Sequence, residues 1–137
     1  MTTIGDVRAD IARIINSNLD GWRAQAYVGD QINTHTIVVA RPGFDPRLVF
    51  ALAKTEYVFR LTAYVDRVAG AAGEGVLDDL CEIAGNGSLI ARIQNGSLWS
   101  VTVDYAQVEF VGETVATMYG TDSLEYLCVP FDVKVVW

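Results

Sequence analysis

The chain has 137 residues, of which seventeen are acidic and ten are basic, and its net charge is −7. This balance argues against tight binding to nucleic acid or to an anionic membrane, because both rely on Lys and Arg to neutralise phosphates. The length fits one domain, residues 1–137, which can bury enough surface to fold without a disulfide or a metal. The apolar fraction of 51% is high for a small domain, and we expect part of it to be buried against other subunits.

The two cysteines, Cys81 and Cys128, form no C-x-x-C motif and no Cys/His cluster. They predict small, buried, free thiols in a reducing compartment. The first residues contain no basic segment followed by an apolar stretch, so we expect no signal peptide. No apolar run approaches the roughly 18 residues of a membrane span. We therefore expect the protein to be in the cytoplasm where it is made.

The first predicted element is an amphipathic helix. Its apolar stripe consists of Ile4, Val7, Ile11, Ile14, Ile15 and Leu19. Thr3 or Asp6 is placed to cap its start, and Asp20-Gly21 ends it. We expect its other face to be solvated, and that face consists of Arg8, Asp10, Arg13 and Asn16.

Strand character follows. Residues 24–28 form a candidate strand, Gly29-Asp30 a turn, and residues 36–41 a second strand rich in β-branched side chains. Pro42-Gly43 ends it, and an irregular loop follows. Residues 54–66 predict a long strand. Its two faces are Tyr57, Phe59, Leu61, Ala63 and Val65 on one side and Arg60 and Thr62 on the other.

A second helix is predicted over residues 69–84, with Gly70, Gly73 and Gly75 weakening its first turns so that it starts late. Its apolar stripe is Val76, Leu77, Leu80, Cys81, Ile83 and Ala84. Gly85-Asn86-Gly87 ends this helix, and Ser88 caps a short third helix over residues 89–93. Asn95-Gly96 stops that helix.

The last third is β. Trp99, Val101, Val103 and Tyr105 alternate, and Val108 and Phe110 continue on the opposite parity, which indicates a bulge near Ala106-Gln107. Residues 112–120 predict a loop or hairpin tip. A final strand alternates from Leu127 to Trp137, with Asp132 and Lys134 facing out. The order of elements lacks regular β-α-β alternation and predicts an α+β fold, with the two helices packed on one face of an antiparallel or mixed sheet.

No pattern in the sequence indicates catalysis. The single histidine, His35, heads a predicted strand, and no Cys/His pair has the spacing of metal ligands. Asp78 and Glu82 share one helix face, but a cation site needs further oxygen ligands, and a solvated acidic face is the commoner case. Neither a Walker-type loop nor a G-x-G-x-x-G motif is present. We therefore expect no enzyme, no cofactor and no metal.

The chain as a whole resembles the tail terminator proteins of long-tailed bacteriophages, especially those of actinobacterial siphophages. The resemblance lies in an ordered series of segments over nearly the full length. They are DVRADIARI at 6–14, YVGDQIN at 27–33, RPG at 41–43, the strand at 57–65, LDDL at 77–80, GNGSL at 85–89 and LEYL at 124–127.

The resemblance implies a role in the virion. Tail terminators form a hexameric ring on the last ring of the tail tube, halt its growth and offer their other face to the head-completion complex. The implied partners are therefore other copies of the chain, the tail tube protein and a head-closure or neck protein. Genomic DNA would pass through the channel without specific binding, and an acidic lumen would suit that passage.

Interface residues are predicted from their chemistry. Phe44, Arg47 and Phe50 lie in or beside a Pro-flanked loop, where large side chains have fewer partners within the chain. Phe44 or Phe50 closing the edge of the core is the alternative. Met118 and Tyr119, in the second candidate contact loop, complete the set. For Trp22 and Trp137 both a core-edge and a contact role are open.

Two other functions stay open at the level of sequence. A neighbouring virion part, such as a head-closure or tail tube protein, shares a similar α+β plan. Tube proteins generally contain more β-structure and a long inter-ring loop, whereas this chain has two helical segments. A soluble small-ligand-binding module is the third reading, and it requires an apolar pocket with a few convergent polar groups.

Overall fold

The structure of the chain, a computed structural model, describes residues 2–26, 35–40, 56–66, 71–118 and 125–137, with the backbone alone at 71–73 and 118. Its helices are α1 (Ile4–Asn18), α2 (Ala71–Cys81) and α3 (Leu89–Gln94), and a 3₁₀ turn follows at Gly96–Leu98. Its strands are β1 (Arg23–Gln25), β2 (Thr36–Val39), β3 (Glu56–Asp66), β4 (Tyr105–Val111), β5 (Val115–Met118) and β6 (Glu125–Val136). The predicted α+β class is confirmed.

The strands form one mixed sheet in the order β1-β2-β3-β6-β4, and β5 also pairs with β6. β1 and β2 are parallel, and the other described pairs are antiparallel. The longest pairing joins β3 to β6, from Glu56↔Val136 to Asp66↔Tyr126. Because side chains alternate along a strand, one face of this pair enters the core. That face includes Phe59, Leu61, Ala63, Val65, Val129, Phe131, Val133 and Val135, all buried.

The helices pack on this same face, as predicted. Their buried side chains belong to one cluster with the strand residues above, and they include Val7, Ile11, Ile15, Leu77, Leu80, Leu89 and Ile93. Trp22 and Trp137 are partly buried against this cluster, and the Trp137 ring lies 5.1 Å from that of Tyr57. Both tryptophans therefore lie at the edge of the core. On the opposite face, the described cluster of Val38, Tyr126 and Tyr64 contains strand residues alone.

The helix ends follow local chemistry. The Thr3 hydroxyl accepts from the Asp6 amide at 3.1 Å and the Asp6 carboxylate accepts from the Thr3 amide at 2.9 Å, so the two predicted caps act together as a capping box. α2 ends at Cys81, earlier than predicted. The placement of Ile83 and Ala84 in its buried stripe is wrong, since Ile83 is 81% exposed. Ser88 caps α3 as predicted, by accepting from the Ala91 amide.

The predicted solvated face of α1 is wrong for Arg8 and Asp10, which are 7% and 4% exposed. A guanidinium nitrogen of Arg8 donates to the Val39 carbonyl at 3.1 Å. Asp10 lies three residues after Val7 and four before Ile14, so it shares their side of the helix.

The Asp10 carboxylate accepts hydrogen bonds from the segment that follows α3. It accepts from the Ser100 amide at 2.9 Å, the Ser100 hydroxyl at 2.6 Å and the Val101 amide at 3.2 Å. Arg13 donates to the same carboxylate at 2.7 Å and also to the Leu98 carbonyl. We call this set of contacts the Asp10 clasp, and it ties residues 98–101 to α1.

We expect Asp10→Asn to lower the free energy of unfolding at pH 7 by about 1–3 kcal/mol, because an amide nitrogen cannot accept these hydrogen bonds. Burial raises the pKa of Asp10, but the bonds from Ser100, Arg13 and Val101 outweigh it and hold the pKa below its ordinary value. A lowered folded-state pKa stabilises the fold above the unfolded value of about 3.9, and this contribution is lost as the pH falls through the folded value.

The difference between Asp10→Asn and the natural chain should therefore shrink below about pH 4, which urea unfolding at a series of pH values measures. Asp78→Asn, at an exposed acid of α2, is the control. Equal stability of Asp10→Asn and the natural chain at pH 7 would contradict the clasp.

Candidate interaction surface

The predicted interface residues fall almost wholly outside the described part of the chain. Phe44, Arg47, Phe50 and Tyr119 are not described, and Met118 is described by its backbone alone, as the last residue of β5. The prediction of a loop over residues 112–120 is wrong at 115–118, because these residues pair with β6 from Val115↔Cys128 to Met118↔Glu125. The surface around Met118 is therefore a sheet edge.

β4 and β5 pair with the same side of β6, β4 opposite residues 131–136 and β5 opposite residues 125–128. Together with residues 112–114 they form one interrupted strand, which we call the outer edge. It begins at Tyr105, so the predicted strand over Trp99–Val103 is wrong. The Asp10 clasp explains this difference, since it takes up the amides of Ser100 and Val101 that a strand ladder would need.

The predicted bulge occurs two to three residues later than expected, between Val108 and Phe110. Glu109 is the extra residue, and Phe110 instead pairs with Asp132. Because strand side chains alternate, one extra residue moves every following side chain to the other face. The bulge therefore turns Phe110 away from the helix-covered core and onto the open face of the sheet.

The break between β4 and β5 lies opposite Pro130. The Gly112 amide donates to the Pro130 carbonyl at 2.8 Å. The nitrogen and carbonyl of a strand residue point to the same side, so the Pro130 nitrogen, which has no hydrogen, also faces the outer edge. A Cβ atom on Gly112 would lie 2.9 Å from Pro130 Cδ and closer to Cγ, so this approach requires glycine.

Three large apolar side chains of the outer edge are exposed. Tyr105 is 45%, Phe110 55% and Val115 54% exposed. They pair with Val136, Asp132 and Cys128, which alternate along β6, so all three lie on the face that the helices leave open. Among the described residues the remaining exposed large apolar side chain is Ile83. We call Tyr105, Phe110 and Val115 the apolar stripe.

Ion pairs lie beside this stripe. The Lys134 ammonium lies 2.8 Å from Glu56 and 3.5 Å from Glu109, and its hydrogen bond with Glu56 raises the pKa of Lys134. Arg60 donates two hydrogen bonds to Asp132, at 3.0 and 3.2 Å. These pairs are partly solvated, so each stabilises the fold only slightly. Their main effect is to engage Lys134 and Arg60, the bases beside the stripe, with carboxylates.

The backbone of the sheet is capped at two of its three edge strands. At β1, the Asn16 side chain accepts from the Ala24 amide at 2.9 Å and donates to the Ala24 carbonyl at 3.5 Å. At β4, the Gln94 carbonyl oxygen accepts from the Val108 amide at 3.1 Å. Within the described ranges β5 pairs with β6 alone, and residues 113–116 are exposed. Side-chain caps of this kind block the addition of a further strand, so β5 is the open edge.

A cavity of about 390 Å³ lies between α3 and the start of the outer edge. Its lining includes Ile93, Gln94, Trp99, Val101, Asp104 and Tyr105. The Trp99 indole donates to the Ile93 carbonyl at 2.9 Å, which fixes the ring as one wall. The volume is at the lower end of the range of small-ligand pockets.

The described residues contain no group of three or more His, Cys, Asp or Glu side chains that could hold a metal. His35 has a positive φ of 58° and lies edge-on to Trp22 at 5.4 Å. Burial raises the pKa of the Cys81 and Cys128 thiols, which makes both poor nucleophiles at neutral pH. Over the same described ranges, no helix is long and apolar enough to cross a membrane.

No protein-family model matches the chain, and no curated protein matches its sequence.

We expect Gly112→Ala to destabilise the fold by about 1–3 kcal/mol, because the added methyl group overlaps the rigid Pro130 ring and forces the outer edge away from β6. Gly75→Ala is the matched control. It adds the same methyl group in α2, with no atom within 4 Å, and should stabilise the helix by roughly 0.5–1 kcal/mol. Urea unfolding of the two variants measures both effects, and equal changes would contradict the close approach.

Proposed function

We propose that the chain is a structural subunit of a long-tailed bacteriophage, which forms a ring on the head-proximal end of the tail tube. The ring stops polymerisation of the tube and provides the docking surface for the head-completion complex. The observation that carries an assembly role is the apolar stripe, together with the resemblance to tail terminators.

The stripe supports assembly through its composition and its position. Single exposed apolar side chains are ordinary, but these three follow one edge of a helix-free sheet face, opposite every fourth residue of β6. Aromatic side chains such as Tyr105 and Phe110 are enriched among the residues that contribute most to binding between proteins. Burial of this surface against another subunit would remove it from water.

The charge of the chain supports the passage of DNA without capture. With seventeen acidic and ten basic residues, the subunit offers phosphates little net attraction. A ring subunit also needs no catalytic centre, cofactor or metal, so the proposal includes no enzymatic step.

Two alternatives share part of this support. A head-closure or tail tube protein would use an exposed sheet edge in the same way, so only its position in the particle separates it from a terminator. A small-ligand-binding module is favoured by the cavity beside Trp99 and Asp104. Such a module would be monomeric in the absence of other proteins.

Electron microscopy of purified particles, with the protein located by labelling or by its density, tests the position. A six-fold ring at the head-proximal end of the tube is expected. Density along the whole tube, or in the collar on the portal side, would replace the terminator with another virion protein. Absence from particles would favour the ligand-binding module.

We expect Phe110→Ser and Val115→Ser to weaken assembly of the ring on the tube, each by roughly 1–3 kcal/mol of contact free energy, because both remove exposed apolar area. Ile83→Ser is the matched control, since it removes an even more exposed apolar side chain outside the stripe. Cosedimentation of each folded variant with tail tubes measures the effect. Loss of assembly in all three variants, or in none, would contradict a role for the stripe.

A further inference from the structure

We propose that the β5 segment of the outer edge binds an extended segment of a partner protein that carries Lys or Arg side chains, and that this segment adds to the sheet as a further strand. The inference deepens the proposed function, and it rests on that function only in taking the outer edge as an assembly surface.

The backbone of β5 has hydrogen-bonding groups that point away from β6. Cys128 lies two residues before Pro130, so its backbone groups face the outer edge as those of Pro130 do. Cys128 pairs with Val115, and the backbone groups of Val115 therefore point toward β6. Those of the next residue, Ala116, point outward.

At the other two edge strands of the described sheet, side chains occupy outward backbone groups. Asn16 occupies both backbone groups of Ala24 at β1, and Gln94 occupies the Val108 amide at β4. Within the described part of the chain, the outward groups of Ala116 carry no such cap, so backbone pairing with a partner is available at β5. Strand addition of this kind takes its affinity from main-chain hydrogen bonds and its specificity from alternate side chains.

The chemistry of the partner follows from the charge around this edge. The outer edge itself, residues 105–118, contains the acidic residues Glu109 and Glu113 and no Lys, Arg or His. Glu109 lies 3.5 Å from Lys134, whereas Glu113, two residues before β5, is exposed. Pairing of two copies through this edge would bring like charges together, whereas Lys and Arg side chains would be attracted to it.

The apolar stripe defines the other half of the recognition. Val115 lies on β5 itself and Phe110 just before the break, and both are more than half exposed on the open face. An added strand would place every second side chain beside them, where apolar residues are favoured. The segment that fits best therefore alternates basic and apolar residues.

The test uses the full chain, labelled with ¹⁵N, and two synthetic peptides of about eight residues, a usual strand length. One peptide alternates lysine and valine, and the other alternates glutamate and valine. The lysine peptide should shift the amide resonances of residues 112–117, and this shift should weaken as salt is added. Absence of these shifts at millimolar peptide, or equal shifts with both peptides, would overturn the proposal.

Two variants separate the backbone contribution from the charge contribution. Ala116→Pro removes the outward amide and should lower the peptide affinity at least roughly tenfold, whereas Ala116→Ser, which keeps the amide, should not. Glu113→Lys should weaken binding more than Asp79→Lys, which makes the same change in net charge on α2. Equal effects within either pair would refute the assigned mode, provided that each variant retains the melting temperature of the natural chain.

The outcomes for this inference and for the proposed function are distinct. A ring on the tube without peptide binding at residues 112–117 would leave the terminator proposal intact and refute strand addition. Peptide binding by a protein that is absent from particles would support strand addition and refute the terminator proposal.

Discussion

The antiparallel pairing of β3 with β6 is the constraint on which the rest of the structure depends. It joins eleven residues of β3 to β6, and the remaining strands are added on its two sides. A shift of this register by one residue would expose Phe59, Leu61 and Phe131 to water and bury the charged residues between them. The cost of that exchange holds the register in place, and the register in turn decides which side chains of β4 and β5 reach the open face.

Pro130 makes the two sides of this pair unequal. The Pro130 carbonyl points to Gly112, so the Pro130 nitrogen, which carries no hydrogen, faces the outer edge as well. The hydrogen bonds between β6 and β3 therefore do not need a donor from Pro130. A proline is therefore compatible with an inner strand here, because the strand beside it is interrupted at that residue. The bulge at Glu109 and the break at Gly112 then leave Phe110 and Val115 exposed on the open face, and β5 without a side-chain cap.

The Asp10 clasp connects the helix layer to this edge. By binding the amides of Ser100 and Val101, it keeps residues 99–104 out of the sheet, so that the outer edge begins only at Tyr105. Of these residues, Trp99 and 101–104 line the cavity beside α3. The start of the outer edge and one wall of the cavity thus depend on one buried carboxylate, and the proposed ring contact and the ligand-binding alternative concern neighbouring parts of the same segment.

The sequence by itself determined the elements whose signals are local. The periodicity of α1, the alternation along β3 and β6, and the cap at Ser88 depend on neighbours within a few residues, and all are found in the structure. The helical spacing of α1 also indicated that Asp10 lies on the buried side of the helix, between Val7 and Ile14. Only the tertiary structure decided that this carboxylate is buried, because its partners at Ser100 and Val101 are distant along the chain. The same holds for the open face of Phe110 and for β5, since both depend on the register against β6, and a register is a relation between strands that neither strand encodes alone.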